Sequence, residues 1–150
     1  KMELYSQVAF SNVITENLPV IPDKTLGLQL RYTDRSKFAP SSDNILNTVN
    51  KMIKKNSMQN IQIVSDDLNI RSNIVDLLQK NHPDINILTT DITTTSRKNC
   101  KGLQEAILEW LILCKCDCLI FSKGSSFGYE AFITNLNRDV EEIPGRELLK

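Results

Sequence analysis

Between residues 26 and 121 the chain alternates short apolar runs with longer segments whose apolar residues recur every three or four positions. The short runs cover 26–30, 61–64, 85–88 and 118–121, each of strand length. The intervening segments read as amphipathic helices. Ser41 or Ser42 can cap one that carries Ile45, Leu46, Val49, Met52 and Ile53 on a single face. A second carries Ile70, Ile74, Leu77 and Leu78 and breaks at "NHPD". A third bears Leu103, Ile107, Trp110 and Leu111, and a short fourth begins near Phe127. Ahead of them, 2–17 has loose helical spacing through Leu4, Val8, Val13 and Ile14, ended by Pro19 and Pro22.

Strands alternating with helices predict βαβ units and a mainly parallel sheet, hence an α/β, Rossmann-like three-layer domain. The pattern divides the chain into a helical lead-in (1–24), the layered domain (25–136) and a polar tail (137–150). From Asp139 onward the residues are mostly polar and include Pro144 and Gly145, so a frayed end is expected. The Thr-rich stretch "TTDITTTSRKNC" is expected to be a mobile loop.

A length of 150 residues suits one domain with one core. Eighteen basic residues balance eighteen acidic ones, which removes the general electrostatic argument for a nucleic acid or an anionic membrane as partner. No apolar run is long enough to span a bilayer, and no basic-then-apolar leader is visible. The chain starts at Lys1, inside a predicted helix, so a fragment or trimmed domain is expected. Cys100, Cys114, Cys116 and Cys118 lack zinc-site spacing and lie far from His82, the single histidine. Buried free thiols are the favoured reading, ahead of a disulfide or a metal site. No Asn-x-Ser/Thr acceptor for glycosylation occurs.

In an open α/β sheet, ligands bind outside the carboxyl ends of the strands, and the unusual residues fall there. The first strand runs out into Arg31, where an arginine can hold a diphosphate bidentately or pair with Asp34, Asp66 or Asp67. The second ends in Asp66 and Asp67, which can bind a metal or sugar hydroxyls, or cap the next helix. The fourth leads through "SKGSS" into a helix, a pattern that suits both a phosphate site and plain helix capping by Ser125 or Ser126. Glu109, in the nearly all-apolar "EAILEWLILC", either faces water or meets a specific partner, for which a base with two adjacent donors such as guanine is suited.

Three stretches together, "LGLQLRYTDR", "IQIVSDDLNI" and "LQEAILEWLILCKCDCLIFSKGSSFGYEAF", resemble in order the three motifs of the GDP-fucose-dependent fucosyltransferase superfamily. The likeness covers about 26–133. The first and third motifs are similar to those of xyloglucan-type enzymes, and the "SDD" to that of α1,2- and α1,6-fucosyltransferases. The resemblance implies the nucleotide-binding, C-terminal half of a two-domain GT-B enzyme. Such an enzyme performs an inverting, metal-independent transfer of fucose from GDP-fucose to a glycan hydroxyl. It implies that Arg31 binds the donor β-phosphate and stabilises the leaving GDP, with Gln29 near the nucleotide. Glu109 matches a guanine-contacting position, Asp66 and Asp67 match acidic residues beside the donor, and Ser125, Ser126 and Phe127 would line the phosphates and base. No cofactor or metal is implied, and a Golgi or endomembrane setting follows only by analogy.

Departures from the pattern bear on these expectations. Tyr32 stands where several relatives have a second arginine. The N-terminal half that supplies much of the acceptor site is missing, and the chain stops short of the further strand and helix usual in the fold. A non-catalytic nucleotide-sugar-binding domain is therefore the alternative. A receiver-like signalling domain places its acidic pair after the first strand, which this chain does not. An NAD enzyme would need a G-x-G-x-x-G after that strand, and none is present.

Overall fold

The computed structural model describes residues 10–33 and 39–146. A short helix α1 (Asn12–Thr15) precedes β1 (Thr25–Leu30), α2 (Ser42–Asn56), β2 (Asn60–Ser65), α3 (Leu68–Asn81) and β3 (Asn86–Thr89). Then follow α4 (Cys100–Lys115), β4 (Cys118–Ser122), α5 (Ser126–Phe132) and β5 (Val140–Ile143). Of the predicted lead-in helix only α1 falls within the described residues, and the part before residue 10 lies outside them, as does Asp34.

The sheet order is β3-β2-β1-β4-β5, with every neighbouring pair parallel. Parallel strands must be joined by crossovers, so helices cover both faces and the central strands read as unbroken apolar runs. All six residues of β1 are accordingly buried. Leu26, Leu28 and Leu30 pack with Ile45, Val49 and Met52 of α2 and with Ile74 and Leu78 of α3. On the opposite face Leu119 and Phe121 pack with Leu113 of α4 and Ala131 of α5. Gly27 lies on that second face, where a β-carbon would stand 3.0–3.1 Å from Leu119, Cys116 and Leu113. Its absence lets α4 settle close to the sheet. The layered α/β architecture expected from the sequence is thus observed.

The expected frayed end is not seen over 139–146, and residues 147–150 lie outside the described residues. Val140–Ile143 pairs with β4 in the register Leu119↔Val140 to Ser122↔Ile143, and Ile143 is wholly buried. The segment reads as polar because it is an edge strand, with Glu141 paired to Lys51 of α2. Asp139, just before it, pairs with Lys55. Arg138 anchors its approach. Its guanidinium donates to the carbonyls of Leu113 (2.8 Å), Cys114 (3.3 Å) and Cys116 (3.1 Å), and also to that of Ala131. One buried side chain therefore ties the C-terminal ends of α4 and α5 together, sharing the Leu113 and Ala131 carbonyls with backbone N–H groups and adding a donor to those of Cys114 and Cys116.

The four cysteines are free thiols. Cys116 and Cys118 are buried, Cys114 is half-buried and Cys100 is exposed at the start of α4. Burial pushes the Cys116 thiol up to about 12, so it behaves as an apolar filler. No helix among the described residues is long and apolar enough to cross a membrane.

Replacing Arg138 by Met removes the guanidinium donor from the Cys114 and Cys116 carbonyls while those of Leu113 and Ala131 keep backbone N–H partners, and we expect a loss of about 1–3 kcal/mol. A urea midpoint lowered at unchanged slope is the expected result, and an unshifted midpoint would show that water replaces the guanidinium at no cost.

Candidate functional site

In a parallel sheet the crevice opens where neighbouring strands send their connections in opposite directions. Here that point lies between β1, which leads toward β2, and β4, which leads toward β5. Arg31 follows β1 directly, and its N–H donates to Ser122 Oγ at the end of β4 (3.0 Å). Asp66, just past β2, holds the same segment from the other side. Its carboxylate accepts from the Tyr32 N–H (2.8 Å), the Thr33 N–H (3.3 Å) and the Thr33 hydroxyl (2.7 Å). It also lies 3.8 Å from Arg31 Nε. The Tyr32 hydroxyl donates to the Pro40 carbonyl (2.8 Å). Arg31 is thus fixed by backbone and side-chain bonds to both neighbouring strands.

Beside Arg31 is a small polar pocket of about 30 Å³, room for a single water. Gln29, Ser65 and Asp66 line it from the strands, Thr94, Thr95 and Arg97 from the Thr-rich loop, Gly102 and Glu109 from α4, and Phe127 from α5. Gln29 is 3% exposed, and its Oε1 finds no hydrogen-bond donor among the described residues. A buried amide oxygen left unpaired is uncommon and marks a place where a donor is wanted. The pocket continues into an apolar cleft of about 470 Å³ between α4 and α5, lined by Leu103, Ile107, Trp110, Ser126 and Phe127 among others.

Glu109 is not the solvated carboxylate that is one of the two sequence-based expectations; it meets a specific partner and also lines the polar pocket. It is 5% exposed, and its Oε1 accepts from Arg71 at 2.6 Å. Arg71, on α3, also donates to the carbonyls of Ser65 (3.1 Å) and Thr90 (3.2 Å). The guanidinium therefore reaches round the carboxyl edge of the sheet and joins the ends of β2 and β3 to the helix on the opposite face. Burial pushes the Glu109 carboxyl up to about 7, against the downward pull of Arg71. Sequence reading passed over Arg71, yet a signal existed. Arg71, Ile74 and Leu78 share the buried face of α3, so a cation at that position needs a partner.

The remaining expected residues divide. Asp67 turns away from the pocket and caps α3, accepting from the Asn69 and Ile70 N–H groups (2.9 and 3.0 Å). Ser125 is buried and caps α5 through the Gly128 N–H (3.3 Å). The capping alternative holds for both. Ser126 and Phe127 do reach the cleft. Helix α5 has seven residues, under two turns, so its dipole adds little to any anion site. Gly128 is a packing residue, since a β-carbon there would lie 2.4 Å from that of Phe121.

The Thr-rich loop, expected to be mobile, is tethered. Glu105 accepts from the Thr93 N–H and hydroxyl and from the Thr94 N–H (2.9–3.1 Å). Asn99 caps α4 by accepting from the Gly102 N–H (2.8 Å), and Ser96 O sits where a β-carbon on Gly102 would be, 1.6 Å away. Among the described residues no three His, Cys, Asp or Glu side chains gather as a metal-ligand set.

Arranged this way, the carboxyl edge defines a Rossmann-like domain with a crevice at the reversal of strand order, lined by Arg31 and Arg97 and by Asp66 and Glu109. Its fold is that of GDP-fucose-dependent fucosyltransferase-like proteins. POFUT1 in complex with GDP superposes with a TM-score of 0.62 at 12% identity, over 95% of this chain and 49% of that one. POFUT1 in complex with GDP-fucose gives 0.60 at 12% identity, over 89% and 46%. The chain thus spans about half the length of these structures. No protein-family model and no curated protein sequence matches it.

The raised Glu109 carboxyl has a pH consequence. A carboxyl whose folded value lies above its ordinary 4.5 adds stability below 4.5 that is lost as pH rises through about 7. The stability advantage of the wild type over Glu109→Gln should therefore shrink across that window in chemical denaturation. An advantage that grows with pH would show instead that Arg71 holds the group ionised more strongly than burial opposes it.

Proposed function

We propose that this chain is the donor-nucleotide half of a glycosyltransferase that moves fucose from GDP-fucose to a glycan hydroxyl with inversion and without a metal. The observation that carries the reading is Arg31, braced by Ser122 and Asp66 at the mouth of the switch-point crevice, in a fold shared with proteins crystallised with GDP and GDP-fucose. The acceptor hydroxyl attacks the anomeric carbon and gives up its proton to the departing diphosphate or to water, while the bond from that carbon to the phosphate oxygen breaks. The electron pair of the broken bond stays with the diphosphate. A guanidinium already in place opposes that growing charge without having to reorganise. Asp66 acts as the positioning residue that aims Arg31, and Gln29 offers its buried amide to the nucleotide. Ser126 and Phe127 form the wall along which base or phosphates lie. Glu109 stands beside the same pocket, tied to Arg71, with one oxygen committed to that bond.

A second reading, a nucleotide-sugar-binding domain without transfer activity, is favoured by the chain's spanning only about half the length of those structures. It predicts GDP binding with no turnover of GDP-fucose.

Thermal-shift measurements with GDP, UDP, CMP and ADP provide the test. GDP alone should raise the melting temperature, by an amount equivalent to about 2.7 kcal/mol at a hundredfold excess over Kd. Arg31→Ala should abolish that shift while leaving the unliganded melting temperature unchanged. In a protein that includes the acceptor half, the same substitution should lower transfer by a factor of about 10² to 10³. Equal stabilisation by all four nucleotides, or none, would sink the donor assignment.

A further inference from the structure

Arg97 was not among the residues singled out by motif, yet with Ala106 and Phe127 it lines both the polar pocket and the apolar cleft. Its guanidinium carbon lies 5.1 Å from the centroid of the Phe127 ring. A cation over an aromatic ring is held by the ring's negative face, and a guanidinium so held still has N–H donors to offer to oxygen acceptors.

The loop that delivers Arg97 is held on both sides. Glu105 grips Thr93 and Thr94 upstream, and downstream Gly102 lets the Ser96 carbonyl press against α4 at a distance no side chain would permit. The polar pocket is lined by two guanidiniums, Arg31 and Arg97, and two carboxylates, Asp66 and Glu109. Among the described residues Asp66 pairs with Arg31 and Glu109 with Arg71, so Arg97 stands near Glu109 without a close ion pair of its own. A diphosphate is multiply anionic, and Arg31 with Asp66 beside it cannot neutralise it alone. Tyr32, next to Arg31, adds no charge and spends its hydroxyl on Pro40.

We propose that Arg97 is a second diphosphate-binding guanidinium, stacked in advance on Phe127 and meeting the phosphate oxygens from the α4–α5 side while Arg31 meets them from the strand ends. The proposal rests on the donor-nucleotide reading and adds a residue and a loop to it. The Thr-rich segment thereby becomes part of the binding site, with Gly102 as the positioning residue behind it.

Titration calorimetry of the chain with GDP and with guanosine, using Arg97→Ala, Arg97→Lys and Arg31→Ala, tests this. Arg97→Ala should weaken GDP binding by about 10- to 100-fold, the range of one charge-assisted hydrogen bond, and leave guanosine affinity unchanged. Arg97→Lys, which keeps the charge but loses the planar fork and the stack, should fall between the two. Gly102→Ala should weaken GDP binding in the wild-type background and cost no further affinity in Arg97→Ala. If Arg97→Ala binds GDP as tightly as the wild type while Arg31→Ala does not, the role of Arg97 falls and the donor site stands. Equal losses for GDP and guanosine would make Arg97 a base-stacking residue and overturn the phosphate role. If the wild type binds no GDP at all, the donor reading fails and this inference fails with it.

Discussion

The carboxyl edge of this domain depends on one buried ion pair. Arg71 begins on one layer and ends on the other, and along the way its guanidinium satisfies the terminal carbonyl of β2, a carbonyl just past β3 and the carboxylate of Glu109. Desolvating two such charges is costly, and a pair of this kind gives little net stability compared with apolar residues of the same volume. Its value lies in geometry. It ties α4, whose Glu109 lines the polar pocket, to the end of β2 and the residue just past β3. The end of β2 sets Asp66, and Asp66 sets the backbone of 31–33. A chain of hydrogen bonds thus runs from the far helix to the arginine at the crevice without passing through the apolar core.

The alternation of apolar runs and helical spacing was enough to foresee four of the five strands, the three inner ones and the β3 edge, and the helices on the sheet's faces, because a parallel sheet covered on both sides writes the burial of its inner strands directly into composition. The tail escaped because an edge strand needs little apolar surface. Val140 and Ile143 carry its contacts, and Glu141 and Glu142 disguise it. The site was legible in outline, since strand ends are where an open sheet puts its chemistry. What could not be read was the assignment of each polar residue to a local or a distant partner. Asp66 and Asp67 are neighbours in sequence with identical chemistry, yet one braces β1 and the other caps α3. Only the turn of the chain at that strand end separates them.

The same difficulty hid Arg71 and Arg97. Arg71 sits in a helix whose apolar stripe it interrupts, and its partner is 38 residues away in sequence. Arg97 lies in a stretch rich in hydroxyls with no periodicity to interpret. Its position follows from the missing side chain at Gly102, a feature that resembles any other helical glycine until the facing carbonyl is known. Glycine therefore acts here through what it admits rather than through unusual backbone angles.

The two borders of the sheet differ from its centre in a way that limits how the domain can assemble. β3 and β5 are four residues each, and β5 presents Glu141 and Glu142 along its length. Short edge strands are poor templates for adding strands from another chain, and on β5 the two glutamates add to that. Self-association through a continuous intermolecular sheet, the usual hazard of an open β-structure, is thereby discouraged. A companion domain would have to meet this one through helix surfaces or the crevice rim.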